Sequence, residues 1–274
     1  MNGAKNMDMS KAEEKYNHRA KAINSLLCVG LDADFEKLPE RFKSLEFPQF
    51  EFNKWIIEET AEFAAAFKPN AAFYEARGEK GIKELKLTMD YLFKNYPDVF
   101  TIYDAKRADI GNTNNGYVAA IFDYMGFDAV TLHPYFGSEA LKPFLDRTDK
   151  VSIILCRSSN PGSGELQDLK IDDKPLWQIV AEKTAKEWNK NSNCMLMVGA
   201  TYPEEMKIAR SIIGDMTLLV PGIGAQGGEV EAAVKAGLNS SNLGMIINSS
   251  RGIIFTENPK EEAKKLRDEI NIYR

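Results

Sequence analysis

The sequence predicts an α/β protein, a single-domain (β/α)8 TIM barrel with a short polar N-terminal extension. Across 274 residues, eight short apolar runs alternate with longer amphipathic stretches. No linker-like shift in composition divides them, and single barrels of this kind commonly take about 250 residues. Several of the apolar runs lack polar alternation, as expected of parallel strands covered by helices on their outer face.

Taken in order, the strands are expected at residues 26–31, 64–68, 100–106, 129–133, 151–156, 195–199, 217–220 and 245–248. Helices are expected between and after them, at 53–65, 82–96, 113–124, 138–145, 176–188, 203–213, 229–236 and 259–270. Ser138 and Thr201 stand where helix caps would serve, and Gly214 and Gly237 suit helix exits. Residues 1–22 read as a helical N-terminal extension and 23–274 as the barrel. The pattern alone does not establish closure, so a doubly wound open sheet is the alternative fold. The longest connection, 157–174, carries Ser-Asn-Pro-Gly-Ser-Gly and has the length of a functional loop or a surface insertion.

Composition narrows the function. A formal net charge of −5 offers no general attraction to nucleic acid or to anionic membrane, so any phosphate site has to be local. Cys28, Cys156 and Cys194 lie far apart in apolar runs, which fits buried thiols better than a disulfide framework or a metal site. Two histidines, His18 and His133, argue against a His-based triad or a multi-histidine metal centre. His133 reads as a satisfied barrel-mouth histidine, and Trp55, Trp177 and Trp188 as packing residues. With no apolar signal core and no stretch approaching ~20 apolar residues, a cytoplasmic protein is expected.

The chemistry concentrates at the strand C-termini, the face on which barrel active sites form. The third strand ends in Asp104-Ala-Lys-Arg-Ala-Asp109, and strand alternation turns Asp104 and Lys106 inward together, with Asp109 in the following loop. Lys68 ends the second strand and Asp32 the first. A lysine buried among carboxylates stays protonated, which makes it a proton donor rather than a Schiff-base nucleophile. An Asp-x-Lys-x-x-Asp spacing by itself also suits a structural salt bridge. Glycine-rich Val220–Gly228 and Asn248-Ser-Ser-Arg-Gly252 follow the last two strands, where backbone N–H groups and Arg251 could hold a phosphate.

Together these segments resemble orotidine 5'-phosphate decarboxylase, specifically the longer (type 2) form of some bacteria and protists. The resemblance spans nearly the whole chain. It rests on Ser25-Leu-Leu-Cys-Val-Gly-Leu-Asp32, Phe67-Lys-Pro-Asn70, Asp104-Ala-Lys-Arg-Ala-Asp-Ile-Gly-Asn-Thr113, Ser159-Asn-Pro-Gly162, Pro221-Gly-Ile-Gly-Ala-Gln226 and Arg251-Gly252, in that order.

The resemblance implies conversion of orotidine 5'-phosphate to uridine 5'-phosphate without cofactor or metal, Lys106 protonating C6 of the pyrimidine. It implies that Asp104 lies beside the substrate carboxylate in a network with Lys68, Lys106 and Asp109. Asp109 and Thr113 would reach into the site of a second subunit, making the enzyme a homodimer. Asp32 and Lys68 would contact the ribose and Ser159 the pyrimidine edge. Gln226 and Arg251 would hold the phosphate, with Ile110 and Gly224 as further substrate contacts. The N-terminal extension has no role in that pattern. Competing readings are a magnesium-dependent keto-sugar-phosphate decarboxylase or hexulose-phosphate synthase, a Schiff-base aldolase using Lys68 or Lys106, and a non-catalytic phosphate-binding protein.

Overall fold

A computed structural model describes residues 10–223 and 227–274. All eight expected strands are present: β1 (Leu27–Gly30), β2 (Ala66–Lys68), β3 (Phe100–Arg107), β4 (Ala129–Leu132), β5 (Val151–Arg157), β6 (Cys194–Val198), β7 (Leu218–Pro221) and β8 (Met245–Ser249). They are parallel throughout, and β1 pairs with both β2 and β8, for example Gly30 beside Lys68 and Cys28 beside Asn248. That pairing closes the barrel and rules out the open sheet. β1, β4 and β6 are buried along their whole length, as the continuous apolar runs required.

The surrounding helices are α1 (Lys11–Ala22), α2 (Pro48–Thr60), α3 (Ala71–Glu75), α4 (Gly78–Asn95), α5 (Asn112–Val118), α6 (Gly137–Leu145), α7 (Leu176–Lys183), α8 (Pro203–Ile213), α9 (Gly227–Gly237) and α10 (Pro259–Ile272). α5 and α7 run on into π-helical stretches, Ala119–Tyr124 and Thr184–Trp188. α2 starts five residues before the expected position 53, because Pro48 is well placed at a first helical turn. Its free N–H groups are met from outside the segment: the Glu84 carboxylate of α4 accepts from Gln49 N and, at 3.0 Å, from Phe50 N. Ser138 and Thr201 do not cap; α6 and α8 begin after Phe136 and Tyr202 without a side-chain cap. Gly214 ends α8 with a positive φ of 61°, as a helix exit requires.

The connection 157–174 is not a bare loop. It forms a turn at Pro161–Ser163, a short helix Gly164–Gln167 and a small antiparallel pair, Lys170–Ile171 with Lys174–Pro175. Buried Arg157 anchors it, pairing with Asp168 at 3.0 Å and stacking on the Tyr202 ring.

The polar helix α1 closes the floor of the barrel. Its Tyr16 hydroxyl donates to Met245 O and its ring packs edge-on against Phe100. Arg19 donates to Ala64 O (2.9 Å) and Ala61 O (2.6 Å), Lys15 pairs with Asp128 (2.8 Å), and Glu13 accepts from Thr217 Oγ1 (2.8 Å). All of these partners lie at or just before strand N-termini, so the opposite end stays free for chemistry. Trp177 and Trp188 are buried, Trp55 packs against the core, and the three cysteines are buried and unpaired, which matches their reading as interior residues.

Candidate active site

At the C-terminal mouth, Asp104 is the hub. Its Oδ2 pairs with Lys68 Nζ at 3.0 Å and its Oδ1 with Lys106 Nζ at 2.6 Å. Thr131 Oγ1 of β4 donates to Oδ1 at 3.0 Å, and Asn70 Nδ2 reaches Oδ2 at 3.4 Å. Burial on its own would raise the Asp104 pKa; the ammonium groups of Lys68 and then Lys106 overcome it and hold the carboxyl well below the usual range. For Lys68 burial works downward, but the charges of Asp104 and then Asp32 outweigh it and leave the pKa raised. At neutral pH Asp104 is therefore a carboxylate and Lys68 an ammonium ion.

Two details depart from simple strand alternation. The register of β3 against β4 shifts between Tyr103 and Arg107, and Lys106 takes a positive φ of 48°. Lys106 meets Asp104 because the backbone bulges there, with Thr131 Oγ1 accepting from Lys106 N at 2.9 Å. In addition, the buried lysine is Lys68, whose side chain is 3% exposed, whereas that of Lys106 is 45% exposed. Lys106 sits past the bulge at the open mouth, and Lys68 sits inside the closed strand.

Asp32 follows β1 and sits close enough to raise the Lys68 pKa, and its Oδ1 is buried without a partner among the described residues. Asp109 lies in the loop before α5, and among the described residues its carboxylate accepts only from the Ile110 N–H, at 2.7 Å. Its peptide is held firmly nonetheless. The fully buried Asn114 accepts from Asp109 N at 2.8 Å and donates to both Asp109 O and Ala140 O. His133 contacts Ala108 O at 3.1 Å, in keeping with a satisfied mouth histidine.

Ile110 and Thr113 are exposed on the single chain. Ser159 sits at the rim against Gly199 and Gly222, where a Cβ on Gly199 would come within 2.8 Å of the Ser159 Cβ. Arg251 is exposed at the start of a short helix (Arg251–Ile254) after β8. A Cβ on Gly30 would lie 1.9 Å from Ser250 Oγ, so only glycine lets β1 and this turn approach so closely. Gly224 and Gln226 lie outside the described residues.

Sequence reasoning missed Thr131, Asn70 and Asn114. Thr131 was visible as the one polar residue within Ala129–Leu132, two positions from His133 and thus on the same face. Asn70 closes the Phe67-Lys-Pro-Asn70 segment, to which only Lys68 lent a role. Asn114 carries no motif of its own, and its bond to Ala140 O depends on how α6 packs. Among the described residues, no group of three or more His, Cys, Asp or Glu side chains could hold a metal ion, and both oxygens of Asp104 are already taken by ammonium groups.

Residues 25–266 match the family model described as orotidine 5'-phosphate decarboxylase / HUMPS family. An orotidine 5'-phosphate decarboxylase of Cellvibrio japonicus is 43% identical over 270 residues, covering 95% of this chain and 98% of the relative. One of Christiangramia forsetii is 48% identical over 240 residues, 88% of each chain. The solved structure of Leishmania donovani OMP decarboxylase superposes with a TM-score of 0.87 at 38% identity, covering 97% of this chain and 98% of that one.

Proposed function

The chain belongs to the orotidine 5'-phosphate decarboxylase / HUMPS family, and from that premise we propose that it decarboxylates orotidine 5'-phosphate to uridine 5'-phosphate in pyrimidine biosynthesis, with Lys106 as the proton donor. The observation that carries this reading is the Lys68–Asp104–Lys106 array at the barrel mouth.

Breaking the bond from C6 to the carboxylate leaves an electron pair on C6 with little resonance help. A fixed ammonium aimed at that carbon stabilises the developing charge and then transfers its proton as carbon dioxide departs. Lys106 meets these requirements, being charged, anchored to Asp104 and open to the mouth. Asp104 holds that ammonium in place and sets negative charge beside the leaving carboxylate. Lys68 keeps Asp104 ionised from below. Asp32, with its unpartnered oxygen, suits a ribose hydroxyl. Ser159 faces the base, Arg251 and Gln226 hold the phosphate, Ile110 and Gly224 contact the substrate, and no cofactor or metal takes part. Enzymatic barrier reductions span roughly 8–23 kcal/mol, so the remote phosphate contributes by supplying binding energy that organises this array.

The same reading makes the enzyme a cytoplasmic homodimer in which Asp109 and Thr113 serve the neighbouring site. The Asp109 carboxylate has no ion-pair partner among the described residues, and the Asn114 clamp presents it outward. Around it Ile110 (60%), Tyr135 (82%) and Phe136 are exposed, a patch that a second copy would cover. No helix among the described residues is long and apolar enough to cross a membrane, and three buried free thiols suit a reducing compartment.

The test follows the loss of orotidine 5'-phosphate absorbance. Wild type should be active, also after exhaustive chelation, and Lys106→Ala should lose at least a thousandfold in kcat, on the order expected for an electrostatic and general-acid group together. A folded wild-type protein inert toward this substrate would overturn the reading.

A further inference from the structure

We infer that Tyr74 and Gln49 are positioning residues for Asp32, clamping the carbonyls of its two neighbours, Leu31 and Ala33, so that its carboxylate stays at the substrate's ribose; this rests on the ribose contact proposed above.

The chain leaves the β-ladder at Gly30, so the following residues need other partners for their backbone. They all find them. Leu31 N donates to Lys68 O at 3.1 Å, and Asp34 N donates to Asp32 O at 2.8 Å. The Tyr74 hydroxyl donates to Leu31 O at 2.6 Å, and Gln49 Nε2 donates to Ala33 O at 2.7 Å. The carbonyls of Leu31 and Ala33, the residues flanking Asp32, are thus held by side chains from α3 and α2. Between them the carboxylate presents one buried oxygen that has no partner among the described residues.

Both clamps are rigid. Tyr74 and Gln49 are fully buried, as is Asn53, which donates to the Tyr74 oxygen at 2.8 Å and to Thr88 Oγ1 at 3.1 Å. Gln49 Nε2 also donates to Phe73 O at 2.9 Å, and its Oε1 accepts from Arg77 at 2.9 Å. Arg77 in turn pairs with Glu84, whose other oxygen caps α2. The network ties three helices to one loop.

Apolar residues of similar volume would hold those helices together equally well or better. A satisfied polar network contributes a unique geometry instead. Only two of its bonds reach the catalytic face, and both end on the carbonyls flanking Asp32. A buried carboxylate oxygen without a partner would swing toward water if its backbone were loose, so the clamp is what keeps it aimed at the substrate.

The experiment is a double-mutant cycle on kcat/KM and on affinity for uridine 5'-phosphate, with Tm recorded alongside. Tyr74→Phe, which removes only the hydroxyl, should lower kcat/KM about tenfold, the size of one hydrogen bond of about 1.4 kcal/mol. In an Asp32→Ala background the same change should leave kcat/KM and affinity unaltered while its effect on Tm persists. Gln49→Met supplies the same comparison from the other side and serves if Tyr74→Phe does not fold. Equal losses with and without Asp32, or no loss from either substitution, would overturn the inference. Asp32→Ala without effect on activity or affinity would show instead that the ribose contact is wrong, and the inference would fall with it.

Discussion

Glu13 makes the barrel floor pH-sensitive. It is 7% exposed in the first turn of α1, where it accepts from Thr217 Oγ1 at 2.8 Å. Burial pushes its pKa up from 4.5 to about 7, and the Thr217 bond pulls back only part of the way. The helix N-terminus also favours the charged form, by about 1–2 kcal/mol. The other titratable groups that feel its charge are the buried Tyr16 hydroxyl and Cys194 at the start of β6, whose thiol burial pushes up to about 12. Because the folded state holds the proton more tightly, the unfolded chain binds fewer protons between pH 4.5 and about 7. Stability therefore falls as pH rises through that window and is retained below it. At about 1.4 kcal/mol per pH unit the loss amounts to about 3 kcal/mol. Glu13→Gln keeps the acceptor for Thr217 and cannot ionise. Urea unfolding of both proteins from pH 5 to pH 8 should give similar stabilities at the acid end and a variant more stable by about 3 kcal/mol at the alkaline end. Parallel pH profiles, or a wild type that gains on the variant as pH rises, would refute the reasoning.

At the mouth, Asp104→Ala should abolish decarboxylation and cost about 3–5 kcal/mol in thermal or urea unfolding, because it strands the buried Lys68 ammonium. Adding Lys68→Met to that variant should recover stability but not activity. Asn114→Ala strips partners from Asp109 N, Asp109 O and Ala140 O. It should speed amide exchange at Asp109 and Ile110 and lower kcat/KM, with unchanged exchange as the contrary result. Mixing inactive Lys106→Ala with inactive Asp109→Ala should restore part of the activity through hybrid dimers; no recovery despite subunit exchange confirmed by mass spectrometry would count against the shared site.

Much of this architecture is legible in the sequence because it is local. Parallel strands buried on both faces must be apolar throughout, so their positions stand out as runs. The chemistry at the end of β3 is legible for the same reason, since Asp104, Lys106 and Asp109 are close in sequence. The misses have physical causes too. Ser138 and Thr201 have the right chemistry for caps, yet α6 and α8 begin elsewhere, and α2 takes its cap from Glu84, a residue of another helix. Lys106 reaches Asp104 through a bulge and a left-handed backbone that alternation does not foresee.

Local pattern by itself determined the order and type of the elements, the end of the barrel that carries charge, and the placing of Asp104 and Lys106 together at the end of one strand. Tertiary structure alone decided that the sheet closes through β1 and β8, that Lys68 rather than Lys106 is the buried cation, and that polar α1 seals the floor. It also decided that Tyr74 and Gln49 act as clamps on a loop they do not adjoin, and that Asn114 ties the loop it adjoins to α6 through Ala140 O. The physical reason is reach. Hydrophobic periodicity encodes which face of an element is buried, whereas a hydrogen bond between distant segments exists only where packing brings a donor within about 3 Å of an acceptor.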